Sequence, residues 1–93
     1  MDQILNEGNT ATFTCQATGR PLPTITWYLN SNPLVNGTEH TISEMSLNTM
    51  INNTLTIMSV ESSDVGTYTC NATNVVSTDS SSGVLTVNGE LLL

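Results

Sequence analysis

Asp64-Val65-Gly66-Thr67-Tyr68-Thr69-Cys70 decides the fold of this chain of 93 residues. In an extended segment Tyr68 and Cys70 fall on one side, and Thr67 and Thr69 on the other. Ahead of them Asp64 reads as a turn residue whose carboxylate accepts hydrogen bonds from nearby backbone amides. Upstream, Cys15 and Trp27 complete the set. Trp27 lies twelve residues after Cys15, and Tyr68 two before Cys70.

The rest of the chain agrees with an extended reading. Helical periodicity is almost absent, and short alternating runs rich in threonine, valine and serine are separated by turn residues. Gln3–Leu5 reads as an edge strand, turned by Asn6-Glu7-Gly8-Asn9. Thr10–Ala17 follows, with Ala11, Phe13, Cys15 and Ala17 on one face and Thr10, Thr12, Thr14 and Gln16 on the other. Gly19-Arg20-Pro21-Leu22-Pro23 is a stiff connection, because proline has a fixed φ and no donor. Thr24–Leu29 carries Ile25, Trp27 and Leu29 inward, Thr26 and Tyr28 outward.

Turn signals fill the stretch from Asn30 to Asn48, with a short strand expected near Glu39–Ser43. Asn52–Met58 points Leu55 and Ile57 inward, and Val60 plugs the end of the core. Thr67–Asn74 and Val84–Val87 complete the strands. Val75–Ser82 reads as a polar hairpin region between them.

These residues resemble a known family. Glu7 through Gly19, with Cys15 at its centre, looks like the first cysteine strand of immunoglobulin domains of the intermediate (I-set) kind. Pro21-Leu22-Pro23-Thr24-Ile25-Thr26-Trp27 is similar to that set's entry into the tryptophan strand. Leu55-Thr56-Ile57 and Asp64 through Asn74 resemble its two later strands. The resemblance covers nearly the whole chain. It implies an all-β, two-sheet antiparallel sandwich of Greek-key topology with one inter-sheet disulfide.

In that fold Cys15 and Cys70 form the bridge, Trp27 packs on it, and Tyr68 pins a corner together with Asp64 and Gly66. A bridge here closes a loop of about 55 residues and contributes roughly 4 kcal/mol in the chain-entropy model. One domain is expected over residues 1–90. Residues 91–93 are expected to be a linker or the cut end of an excised piece.

Two departures from the family pattern stand out. Val75-Val76-Ser77 occupies a turn that usually holds glycine, so a longer or differently shaped hairpin is expected. No arginine or lysine faces Asp64, and His40 is the nearest basic candidate.

Charge excludes several partner classes. The chain has one Lys or Arg, which is Arg20, against eight acids, for a net charge of −7. One cation cannot neutralise a row of phosphates, so nucleic acid is excluded as a partner. Direct contact with anionic membrane surfaces fails for the same reason. No apolar run reaches the ~20 residues of a membrane span.

No cofactor or metal is expected. Zinc takes four ligands, which two cysteines and His40 do not supply. A catalytic histidine needs a nucleophile and an orienting acid, and no motif presents them. The acids are dispersed rather than gathered into a calcium loop. The chain reads as having no enzymatic activity.

Three sequons mark Asn36, Asn52 and Asn71 as candidate N-glycan acceptors. Asn52 and Asn71 alternate away from the inward residues Leu55 and Cys70. Thr26, Tyr28, Thr69, Thr73 and Thr86 are expected to share the outer face of one sheet as a candidate binding face centred on Tyr28.

The resemblance implies a recognition module of an extracellular or cell-surface receptor, adhesion or matrix protein. Its partners would be other proteins or a copy of itself, with similar domains in tandem. The competing reading is a mechanical domain of an intracellular muscle-filament protein. The absence of lysine, the sequons and the two cysteines weigh against that alternative.

Overall fold

The alternation seen in the sequence becomes eight strands among residues 2–89, which are those the computed structural model describes. They are β1 Gln3–Asn6, β2 Ala11–Thr18, β3 Thr24–Leu29, β4 Asn32–Pro33, β5 His40–Leu47, β6 Met50–Ile57, β7 Gly66–Thr73 and β8 Thr78–Asn88. The expectation for residues 91–93 lies outside the described residues.

Two sheets form, in the orders β1-β8-β7-β3-β4 and β2-β6-β5. All pairs among the described strands are antiparallel except β1 with β8, which run parallel from Gln3 opposite Leu85 to Asn6 opposite Asn88.

The core lies where the inward faces meet. Strict alternation along β2 and β6 buries Ala11, Phe13 and Cys15 against Leu55 and Ile57, while the threonines between them face water. Trp27, Tyr68, Leu85 and Val60 close the same cluster. Each apolar side chain of this size gains about 1.5–3 kcal/mol on burial.

Three elements differ from the sequence expectation. β5 runs to Leu47 instead of ending at Ser43, and joins β6 through a tight turn in which Asn48 takes φ 53°. Asparagine tolerates that left-handed region better than most residues. β5 is an edge strand with little burial, so it shows no apolar alternation to read.

Second, the polar hairpin expected over Val75–Ser82 shrinks to the four residues Asn74–Ser77. The Asn74 amide donates to the Ser77 carbonyl at 3.0 Å, and β8 begins at Thr78. Its first half, Thr78-Asp79-Ser80-Ser81-Ser82, is exposed and carries no hydrophobic signal. Third, two residues after the tryptophan strand, Asn32 and Pro33, fold back as β4.

Candidate functional site

Cys70 of β7 and Cys15 of β2 are bonded, which ties the two sheets together across 55 residues of chain. Trp27 lies opposite Cys70 in the β3–β7 register and is 1% exposed. Its indole N–H donates to Asn53 Oδ1 at 2.8 Å, and Asn53 Nδ2 donates to Glu44 Oε1 at 3.3 Å. A buried indole N–H needs an acceptor, and a buried amide needs partners at both ends. Asn53 meets both needs from an inward position of β6, between Ile51 and Leu55.

Sequence reasoning missed Asn53. The signal was present: an asparagine at an apolar-parity position of a strand facing a tryptophan.

Tyr68 pins the corner. Its hydroxyl donates to the Asp64 carbonyl at 2.6 Å, and its ring stacks on Phe13 with centroids 5.1 Å apart. Burial, followed by the nearby Asp64 charge, pushes its pKa up to about 12. Asp64 ends a single 3-10 turn over Ser62–Asp64, and its Oδ2 accepts the Glu61 amide at 2.8 Å. The carboxylate is therefore held by backbone. His40 does not serve as its partner, because His40 Nε2 is buried without a hydrogen bond.

Gly66 is required by close approach. A Cβ there would lie 2.7–2.8 Å from the Asn30 side chain and Leu29 Cδ1. Asn30 needs that place, since its amide donates to the Thr67 carbonyl and its Oδ1 accepts the Thr67 amide, both at 2.9 Å.

Most of the candidate binding face is assembled. Thr26 lies opposite Asn71, and Tyr28 opposite Thr69. Two of its hydroxyls find partners on the same sheet: Thr69 Oγ1 lies 2.8 Å from Ser82 Oγ, and Thr73 Oγ1 donates to Asn71 Oδ1 at 3.1 Å. Thr86 points the same way but sits apart, beside Ile4 of β1. At that end the face also bears exposed apolar side chains, Ile4 and Val84.

Of the sequon asparagines, Asn36 is exposed and its Oδ1 accepts the Ile42 amide. Asn52 and Asn71 are half-buried, on opposite sheets.

A crevice of about 360 Å³ opens between β2 and the first half of β8, lined by Cys15, Ala17, Pro23, Cys70, Ala72 and Asp79 among others. Asp79 is the only titratable side chain on its wall, so no acid–base pair converges there. Among the described residues no group of three or more His, Cys, Asp or Glu could hold a metal ion.

Comparison with known proteins gives the same architecture. The model of the immunoglobulin I-set domain matches residues 1–87. Human leucine-rich repeats and immunoglobulin-like domains protein 1 is 33% identical over 92% of this chain, which spans 7% of that protein. A zebrafish vascular endothelial growth factor receptor, kdr-like, is 36% identical over 96% of this chain and 6% of its own length. Human cell adhesion molecule DSCAM is 34% identical over 78% of this chain and 4% of its own.

The chain thus spans only a small fraction of these curated relatives. Among solved structures, titin domain M7 superposes with a TM-score of 0.84 at 31% identity, covering 94% of this chain and 85% of that one. With its two-sheet sandwich, its Cys15–Cys70 bridge and its tyrosine corner, this chain belongs to the immunoglobulin I-set family.

Proposed function

We propose that this chain is a non-enzymatic protein-recognition module of an extracellular receptor, adhesion or matrix protein. One observation carries the reading. Asn52 and Asn71 are partly accessible on the outer faces of the two sheets, and Asn36 stands exposed in a loop. A sequon asparagine in the core would argue against sugars, whereas these three positions admit them. The relatives in growth factor receptors and adhesion molecules support the same reading.

The face formed by Thr26, Tyr28, Thr69 and Thr73 is the contact surface to test. It buries no isolated charge, and the Thr69 and Thr73 hydroxyls already pair with neighbouring side chains, so desolvating those two costs little. A glycan on Asn71 would stand beside Thr26 and close this face. Recognition would then fall to the loops or the opposite sheet.

The experiment is expression through a secretory pathway followed by enzymatic deglycosylation. At least one sequon should be occupied, and its mass increment should vanish with Thr38→Ala, Thr54→Ala or Thr73→Ala, whichever breaks that sequon. A mass unchanged by deglycosylation would favour the second reading, a mechanical domain of an intracellular filament. The likeness to titin domains supports that alternative.

A further inference from the structure

The outer face of the β2-β6-β5 sheet is hydroxyl-rich except in one corner. Thr41 and Ser43 of β5, Thr54 and Thr56 of β6, and Thr12 and Thr14 of β2 share that face. Near the β5–β6 turn its chemistry changes. Met45 and Leu47 stand outward at 75% and 67% exposure, and Met50 lies opposite Leu47.

These three large apolar side chains gather round a sequon. Met45 is directly opposite Asn52, and Leu47 is diagonal to it. Opposite side chains stand about 4.5–5.5 Å apart at Cβ, and diagonal ones about 7–8 Å. The other two acceptors have no such surroundings. Asn71 lies between Thr26 and Ser80, and Asn36 has one exposed apolar neighbour in sequence, Val35.

The strand that bears Met45 and Leu47 is a free edge of its sheet. An exposed edge with apolar side chains invites pairing with another chain, and proteins commonly blunt such edges with lysine or proline. This chain has no lysine, and β5 has no proline.

We infer that Asn52 carries an N-glycan whose first sugar lies over Met45 and Leu47 and shields the β5 edge. The inference rests on the secreted reading above and names the sequon and its task. Attachment forms a bond from Asn52 Nδ2 to C1 of N-acetylglucosamine. Nδ2 gives up one proton to a base of the transferring enzyme, and the C1–O bond to a lipid diphosphate breaks, the diphosphate leaving with the electron pair.

Three features direct the sugar. Among the described residues the Asn52 carboxamide makes no hydrogen bond, whereas those of Asn36 and Asn71 accept the Ile42 amide and the Thr73 hydroxyl. It is therefore free to turn. On the β2 side Gln16 already fills the surface, its Nε2 donating to Met50 Sδ. The open side is that of Met45. Asn53, next in β6, is held by Trp27 and Glu44, so the strand presents Asn52 from a fixed position. A glycan here also leaves the Tyr28 face open, because that face belongs to the other sheet.

The test begins with the unmutated chain secreted with its sugars and mapped by peptide mass. Asn52 should be occupied. Trimming the glycan to a single N-acetylglucosamine should leave nuclear Overhauser contacts between the sugar's acetyl methyl and the Met45 methyl. The second step uses a chain with one sequon, Thr38→Ala/Thr73→Ala, made with that single sugar and in a host that attaches none. The sugar should raise the urea midpoint by about 0.5 M, as covering a few tens of Å² of apolar surface does. In the same chain with Met45→Ser/Leu47→Ser the gain should fall below half.

An empty Asn52 in a chain whose Asn36 or Asn71 is filled would overturn the inference and leave the extracellular reading standing. Three empty sequons would remove both. An occupied Asn52 with no contact to Met45, or with the same midpoint gain in the serine variant, would show that the sugar does not cover this patch.

Discussion

Tyr68 shows how one side chain couples local geometry to solution behaviour. Folding buries its ring against Phe13 and engages its hydroxyl, and its pKa rises from 10.0 to about 12. A raised phenol pKa means that the folded state favours the neutral form. Its contribution is therefore complete below pH 10 and is lost as pH climbs from 10 toward 12. Two units correspond to about 2–3 kcal/mol. Urea melts at stepped alkaline pH should show stability falling across that window, in step with phenolate absorbance. Tyr68→Phe should flatten the fall, at a cost of about 1 kcal/mol at neutral pH for the lost hydrogen bond. Equal slopes in the two proteins would show that Tyr68 is not the titrating group. The spacing of Tyr68, Cys70, Cys15 and Trp27 was legible in the sequence because core residues obey strand parity. Asn53 was not read, because parity alone does not reveal that a buried asparagine serves the indole of Trp27.

At the scale of elements, what could be read tracks burial. β2, β6 and β7 alternate cleanly because one face of each meets the core. β5 beyond Ile42 and the first half of β8 are exposed on both sides, so they carry no apolar alternation from which their lengths can be read. The turn between β7 and β8 shows a different limit. Without glycine in this turn a longer or differently shaped hairpin is expected, and of the two the turn is not longer: it is tight because the Asn74 side chain accepts two of its amides. Side-chain capping of backbone amides substitutes here for a permissive backbone. Asn74→Ala should therefore cost about 1–2 kcal/mol, the net worth of a few exposed or half-exposed hydrogen bonds. Hydrogen exchange should speed up at Val76 and Ser77 while the β3–β7 ladder stays protected. Unchanged exchange at those two amides would show that the turn holds itself.

For the whole molecule, the decisive quantity is how much stability rests on the link between sheets. The sheets share no strand, and they meet through one layer of side chains and the Cys15–Cys70 bond. A link across 55 residues removes unfolded-state entropy equivalent to roughly 4 kcal/mol. A domain of this size has about 5–15 kcal/mol in all. Reduction should leave a folded but marginal protein, since Phe13, Trp27, Leu55 and Tyr68 still bury their surface. With a urea slope near 2 kcal/mol per molar, the midpoint should fall by about 2 M in reductant, as a single transition. The result bears on function as well as fold. A chain that needs its bridge suits an oxidising compartment, where receptor and adhesion modules work. If reduced and oxidised chains melt at the same urea concentration, the bridge is dispensable. The extracellular reading would then rest on the sequons and the receptor and adhesion relatives, and the filament alternative would gain weight.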